Sequence, residues 1–224
     1  MLNDRTRLIL VIVLTMPLLA LAHGVSSADQ VTLNNGGLIS YIYVGAKHML
    51  TGYDHLLFLA GVVFYLKGFK DIVKFITVFT IGHSITLIGA TYLGIKADEH
   101  LIDAVIALSV LYKGFENLKG FERLNMKSPN LLIMVFLFGL IHGFGLSTRL
   151  QSFETGKEDF LAKIVSFNIG VELGQVIALI PIVFLITLWQ KKKSYGSFYK
   201  AANAYLIIAG IGLFVYQAYG YLNS

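Results

Sequence analysis

His48-Met49-Leu50-Thr51-Gly52-Tyr53-Asp54-His55 runs directly into the apolar stretch Leu56-Leu57-Phe58-Leu59-Ala60-Gly61-Val62-Val63-Phe64-Tyr65. Two imidazoles and a carboxylate at the head of a membrane-type segment are costly in hydrocarbon, and such groups mark functional sites. The apolar pattern begins earlier, at Leu38, and continues to Leu66. As one helix it would measure about 43 Å, longer than the ~30 Å hydrocarbon core. The spacing therefore predicts a break, and Thr51-Gly52 is the place for it. Residues Leu38 to Leu50 read as a helix lying at, or tilted through, the outer interface. Tyr41 and Tyr43 serve as belt residues there, and Lys47 reaches for the polar layer. The first span follows from about Gly52 to Leu66.

Composition agrees. The 224 residues are 56% hydrophobic and 14% charged, with mean hydropathy +0.70, which places the chain among integral membrane proteins. There is no cysteine, so disulfides and thiolate ligands are excluded, and any metal must be held by nitrogen and oxygen. The net charge of +5 comes from short basic loops between apolar runs, a topology signal and not a nucleic-acid surface.

Arg5 and Arg7, the apolar run Leu8 to Leu19, and Ala20-Leu21-Ala22 form a signal-peptide pattern over residues 1–22, cut after Ala22. Residues 23–224 then form a single all-α membrane domain. Cleavage would expose His23, whose amine and imidazole could together hold a divalent metal. Five further spans are expected at about Val73–Ile95, Leu101–Leu118, Asn130–Thr148, Lys163–Trp189 and Ala201–Leu222. Three loop regions carry Lys67, Lys70 and Lys74, then Lys113, Lys119, Arg123 and Lys127, then Lys191, Lys192, Lys193 and Lys200. The other side has only Lys47, Lys96, Arg149, Lys157 and Lys163. The positive-inside rule gives six spans with both mature termini outside.

Polar residues recur inside the spans. His83 and Ser84 lie in the second, His142 in the fourth, and Asn168, Glu172 and Gln175 in the fifth. The last three are spaced i, i+4, i+7, which puts them on one helix face. Counted from the outer end at ~1.5 Å per residue, His142 lies about 9 Å deep, Glu172 about 13 Å and His83 about 18 Å. Asp54 and His55 sit in the first turn or so of the first span. With no basic residue expected in a span interior, the carboxylates need a divalent cation or shared protons. His48 is about 10 Å from His55 on an unbroken helix, too far to share an ion, so it either joins the site through a break at Gly52 or forms an entrance site above it. Asp54 and His55 diverge by about 100° as helix neighbours. One is then a ligand, and the other orients a ligand. Asp103 is expected to pair with His100, and Glu116 to be solvated beside Lys113 and Lys119. Gly139, Gly143 and Gly145, with Gly170 and Gly174, suggest close approach of the fourth and fifth spans.

The spacing His48-x5-Asp54-His55 resembles the signature of the HupE/UreJ family of bacterial membrane proteins, associated with nickel supply to hydrogenase and urease. The resemblance extends through Phe79-Thr80-x-x-His83-Ser84-x-Thr86-Leu87, Phe138-Gly139-Leu140-Ile141-His142-Gly143-Phe144-Gly145 and Phe167-Asn168-x-Gly170-Val171-Glu172-x-Gly174-Gln175. It implies six spans in the bacterial inner membrane and permease activity for divalent nickel or cobalt, with the His-x5-Asp-His residues required. Nickel permeases of the family carry a second motif, His-Gly-x-x-His-Gly-x-Glu. Here His142-Gly143 is followed by Phe144-Gly145-Leu146-Ser147, so the chain looks like the family's broader branch, and Glu172 is the candidate replacement carboxylate.

Three functions remain open on the sequence. The first is a divalent-metal permease with His48, Asp54, His55, His83, His142 and Glu172 as metal residues and Ser84, Asn168 and Gln175 as their supports; nickel, cobalt and zinc all suit such donors. The second is an intramembrane zinc hydrolase using Glu172 or Asp54 as general base. The third is a non-transporting membrane factor in which these groups only hold the bundle together. The lipid bilayer is the expected partner in each, and nucleic acid in none.

Overall fold

A computed structural model describes residues 27–66, 68–151 and 159–223. The signal-peptide pattern and His23 lie outside the described residues. The described residues form helices α1 (Ser27–Asn35), α2 (Leu38–Thr51), α3 (Tyr53–Val63), α4 (Phe69–Leu93), α5 (Glu99–Asn117), α6 (Gly120–Arg123), α7 (Leu131–Leu150), α8 (Phe160–Gln190) and α9 (Tyr195–Leu222). Four of them, α4 from Lys70 onward, α7, α8 and α9, are long and apolar enough to cross a membrane. Their ends are set by local chemistry. Asp98 caps α5 by accepting from the Leu101 N–H, and Asn130 caps α7 by accepting from Leu132 and Ile133. Gly94 ends α4 in the left-handed region at φ 68, which glycine enters without a Cβ penalty.

Glycines organise the bundle into helix pairs. Gly45 of α2 lies against the Phe167 carbonyl of α8, while Gly170 and Gly174 of α8 lie against Ile42 and Ala46 of α2. Gly82 of α4 and Gly139 and Gly143 of α7 meet the partner backbone in the same way. Both pairs run parallel, since contacts advance together along the two chains: Phe79 with Gly139, His83 with Gly143, Thr91 with Ser147. Gly114 of α5 and Gly210 of α9 make an antiparallel pair. The fourth- and fifth-span glycines thus do allow close approach, but Gly139 and Gly143 to α4, Gly145 to Ile102 of α5, and Gly170 and Gly174 to α2. A small residue shows where a backbone can come close without naming its partner.

In the α4–α7 pair, a Cβ at Gly143 would collide with the His83 carbonyl and the Thr86 hydroxyl. Gly143→Val should therefore destabilise the protein by about 1–3 kcal/mol, the usual cost of overpacking. The measurement is thermal unfolding in detergent, and an unchanged midpoint would contradict this packing.

Helix α2 packs lengthwise on α8, from Ile42 beside Gly170 to Met49 beside Gly174. It belongs to the bundle and does not lie flat on its rim. Lys47 ties it to α1 through Asp29, at 2.7 Å. Helix α3 is the short continuation and packs mainly against α5.

Helix α5 departs most from the sequence reading. Glu116 is buried, not solvated, and lies 2.6 Å from the Nζ of Lys113, itself only 1% exposed. Lys113 is therefore a basic residue inside the bundle and not a loop charge, because the last turns of α5 are enclosed by α3 and α9. Asp103 pairs with Arg149 of α7, and Gln217 bridges it to His100, donating to Asp103 at 3.3 Å and lying 2.7 Å from His100 Nδ1. With α7 packed against α5, the guanidinium is the stronger available partner.

Candidate metal centre

Gly52 closes α2 and opens α3 at φ −69, ψ 101. The extended ψ bends the chain, while its N–H still donates to the His48 carbonyl at 2.9 Å and its own carbonyl accepts from Leu56 at 3.0 Å. Any residue can adopt that φ. Space is what requires glycine: a Cβ would lie 2.5 Å from His55 Nδ1 and 3.1 Å from the His48 carbonyl oxygen.

The bend brings the His48 and His55 ring centroids to 5.0 Å, about half the separation of a straight helix. His48 therefore joins the main cluster. On its other side the His55 ring is 4.8 Å from His142 of α7. Phe79 of α4 lies 5.3 Å from His142 and stacks on His83 at 6.1 Å. Three imidazoles, from α2, α3 and α7, thus form one ring contact series, which Phe79 extends to His83 of α4, with Phe58 and Phe167 walling it. All four histidines are at least nine-tenths buried.

Hydrogen bonds fix which nitrogen each ring can offer. His142 Nδ1 lies 2.7 Å from the Phe138 carbonyl, which can only accept, so Nδ1 carries the proton. His55 Nδ1 lies 2.9 Å from Asp54 Oδ1. His83 Nδ1 lies 2.9 Å from Asn168 Oδ1, and the amide is oriented by its own N–H donation to the Ile164 carbonyl at 3.2 Å. In all three rings Nδ1–H donates and Nε2 keeps its lone pair, the arrangement by which outer partners prepare a histidine for a metal. His142 Nε2 is buried with no hydrogen-bond partner. A buried acceptor without a partner is a cost that an incoming cation removes.

The HupE / UreJ protein family model matches residues 22–224. The chain belongs to the HupE/UreJ family. No curated protein and no solved structure matches it.

In this HupE/UreJ protein the other predicted residues divide. Asp54 supports His55 and also accepts the backbone N–H of His55 at 2.9 Å. Asn168 and Gln175 face inward, and the Gln175 carbonyl receives Thr80 Oγ1 at 3.5 Å, the limit of a hydrogen bond. Glu172 is exposed and apart from the histidines. With Thr80, Ile81, Ser84, Ile85, Ile88 and Gly89 it lines an open groove of about 480 Å³ between α4 and α8. At 100° per residue Glu172 is displaced about 40° from Asn168 and Gln175 about 20° the other way, enough to put the carboxylate over the helix edge. Ser84 also lines this groove and not the histidine cluster. Among the described residues, no three His, Asp or Glu side chains form a ready metal cage; the rings meet edge to face.

Phe58, Phe79, Phe138 and Phe167 stand in the quoted motifs, but nothing in the sequence assigns them the role of walls or of a carbonyl acceptor. Phe138 had one available signal, its position four residues before His142. The role of Asn168 is directly testable. Asn168→Ala removes the acceptor from His83 Nδ1 and should weaken the hold of any divalent metal that His83 takes up by about 10–100-fold, measured by titration of purified protein, with helical content unchanged.

Proposed function

We infer that this HupE/UreJ protein is a permease for a divalent transition metal of the nickel or cobalt type, with zinc also suited to its donors. The observation that carries this reading is the shared placement of His55, His83 and His142, each with Nδ1 against an oxygen, together with the buried and unpartnered Nε2 of His142. A bundle held together only by histidine hydrogen bonds would spend both nitrogens on partners. The substrate ion would be received by His48, His55 and His142 by turning their rings toward one point, with Asp54 supplying negative charge beside them. His83 would take it next, behind Phe79, and Glu172 stands at the side groove as a further carboxylate.

The proposed topology has six spans in a bacterial inner membrane, counting the broken pair α2–α3 and α5 with the four long helices. The basic loops support an outside position for the mature termini by the positive-inside rule. A discontinuous first span fits transport, since broken helices serve where their ends line an ion site. The side groove is the one feature that favours an intramembrane hydrolase, because a lipid-borne substrate could enter there. It holds one carboxylate, however, and no histidine.

Uptake of radiolabelled nickel, cobalt and zinc by cells producing the protein tests the reading. One of the three ions should accumulate above cells with empty vector, and Asp54→Ala and His142→Ala should abolish the gain. Retained uptake in both variants would overturn it.

A further inference from the structure

Helix α3 carries a polar cluster at each end. The first holds Asp54 and His55; the second surrounds Lys113, Glu116 and Asn117 of α5. Gly61 lies six positions beyond His55, about 9 Å along the helix axis. At Gly61 the two helices touch: a Cβ there would fall 2.7 Å from Lys113 Cγ, and the Gly61 carbonyl accepts from Asn117 Nδ2 at 2.8 Å. The Lys113 stem is thus laid along α3, and its ammonium ends 2.6 Å from Glu116 Oε2 and 3.8 Å above the centre of the Tyr65 ring.

A buried carboxylate, an aromatic face and an amide oxygen together make a receptor for a cation. Asn117 is 3% exposed, and its Oδ1 has no hydrogen-bond partner although its Nδ2 is fully used, by Gly61 and Asn203. Residues 113, 116 and 117 are one helical turn apart and share a face of α5. For stability alone a buried ion pair has little merit, since apolar residues of similar volume do as well or better. A tethered ammonium does have a use on a transport route. It neutralises the receptor when no ion is there and competes with one that arrives, which keeps binding weak enough for release.

We propose that Glu116, Asn117 and the Tyr65 ring form a second cation station on the substrate's route, at the far end of α3 from the histidines, and that Lys113 occupies it as a tethered stand-in for the mobile divalent ion. The identity of that ion as nickel or cobalt rests on the permease reading. The station itself rests on the α3–α5 contact. Glu116 supplies the charge and Tyr65 a ring face that either the ammonium or a hydrated metal ion can approach, while the Asn117 Oδ1 on the next residue is a buried oxygen that the ammonium leaves unpartnered.

Removing the ammonium while keeping its stem leaves Glu116 buried and uncompensated, and a mobile cation restores the balance. Equilibrium dialysis of purified protein against excess nickel, followed by elemental analysis, reads this directly. Lys113→Met is expected to bind one nickel equivalent more than wild type, and Lys113→Met/Glu116→Gln to return to the wild-type value. The same difference should persist in a His55→Ala background, which separates this station from the histidine site: if the histidine reading fails, His55→Ala leaves wild-type nickel content unchanged, yet the Lys113 difference stands. Lys113→Gln carries the same expectation should the methionine variant aggregate. Folded variants with no additional nickel, or additional nickel that survives Glu116→Gln, would overturn the proposal. Failure of both neutral variants to fold would also overturn it, by making the pair a packing requirement.

Discussion

His55→Ala should reduce nickel or cobalt uptake to the level of cells without the protein. His55 is the centre of the ring series, 5.0 Å from His48 on one side and 4.8 Å from His142 on the other. Its loss removes one donor and separates the two remaining rings. It also leaves Asp54, 5% exposed, without its imidazole partner. Loss of an outer support alone commonly costs 10–100-fold in metal affinity, so loss of the central ring should exceed about a hundredfold. His55→Gln keeps a polar side chain at the position and should fail equally, which distinguishes loss of an imidazole from loss of packing. Equal membrane levels of both variants, read by immunoblot, complete the comparison. Uptake retained above about a tenth of wild type would place the metal elsewhere.

Gly52→Ala is expected to cost nearly as much, although it deletes no donor. The new methyl would enter the space held by His55 Nδ1 and Asp54 Oδ1, at 2.5 and 3.3 Å. The ring must turn away, and with it go the bond that fixes its tautomer and the contact with His48. Alanine adopts φ −69 readily, so the helices should survive while the site does not. Uptake should fall at least tenfold with little change in thermal midpoint. Destabilisation with normal uptake would show instead that Gly52 serves packing alone.

Much of this arrangement was legible in the residues. The helices α4, α5, α7, α8 and α9 begin and end within a few residues of the apolar runs, because loop polarity and caps such as Asp98 and Asn130 are written locally. The break at Gly52 was legible for a different reason: the run from Leu38 to Leu66 is too long for one crossing. What the sequence could not fix was the partner of each helix. The glycines of α7 face α4 and α5 and those of α8 face α2, and no periodicity identifies which neighbour will come close. The same limit hid the surroundings of α5, where Lys113 reads as a loop charge and Glu116 as a solvated group at the inner end of the third span. Their burial follows from α3 and α9 closing over the last turns, a tertiary fact. Glu172 shows how small an angle matters: 40° along a helix face separates an inward side chain from one that lines a groove.

On the permease reading, the bend at Gly52 gathers imidazoles from α2, α3 and α7 around a single divalent ion. X-ray absorption spectroscopy of the nickel-loaded protein tests it most directly. The spectrum should show a nitrogen and oxygen shell near ~2.1 Å, with the multiple scattering of two or more imidazoles, and that scattering should disappear in His55→Ala. A spectrum of hydrated nickel, or one that His55→Ala leaves unchanged, would contradict the account.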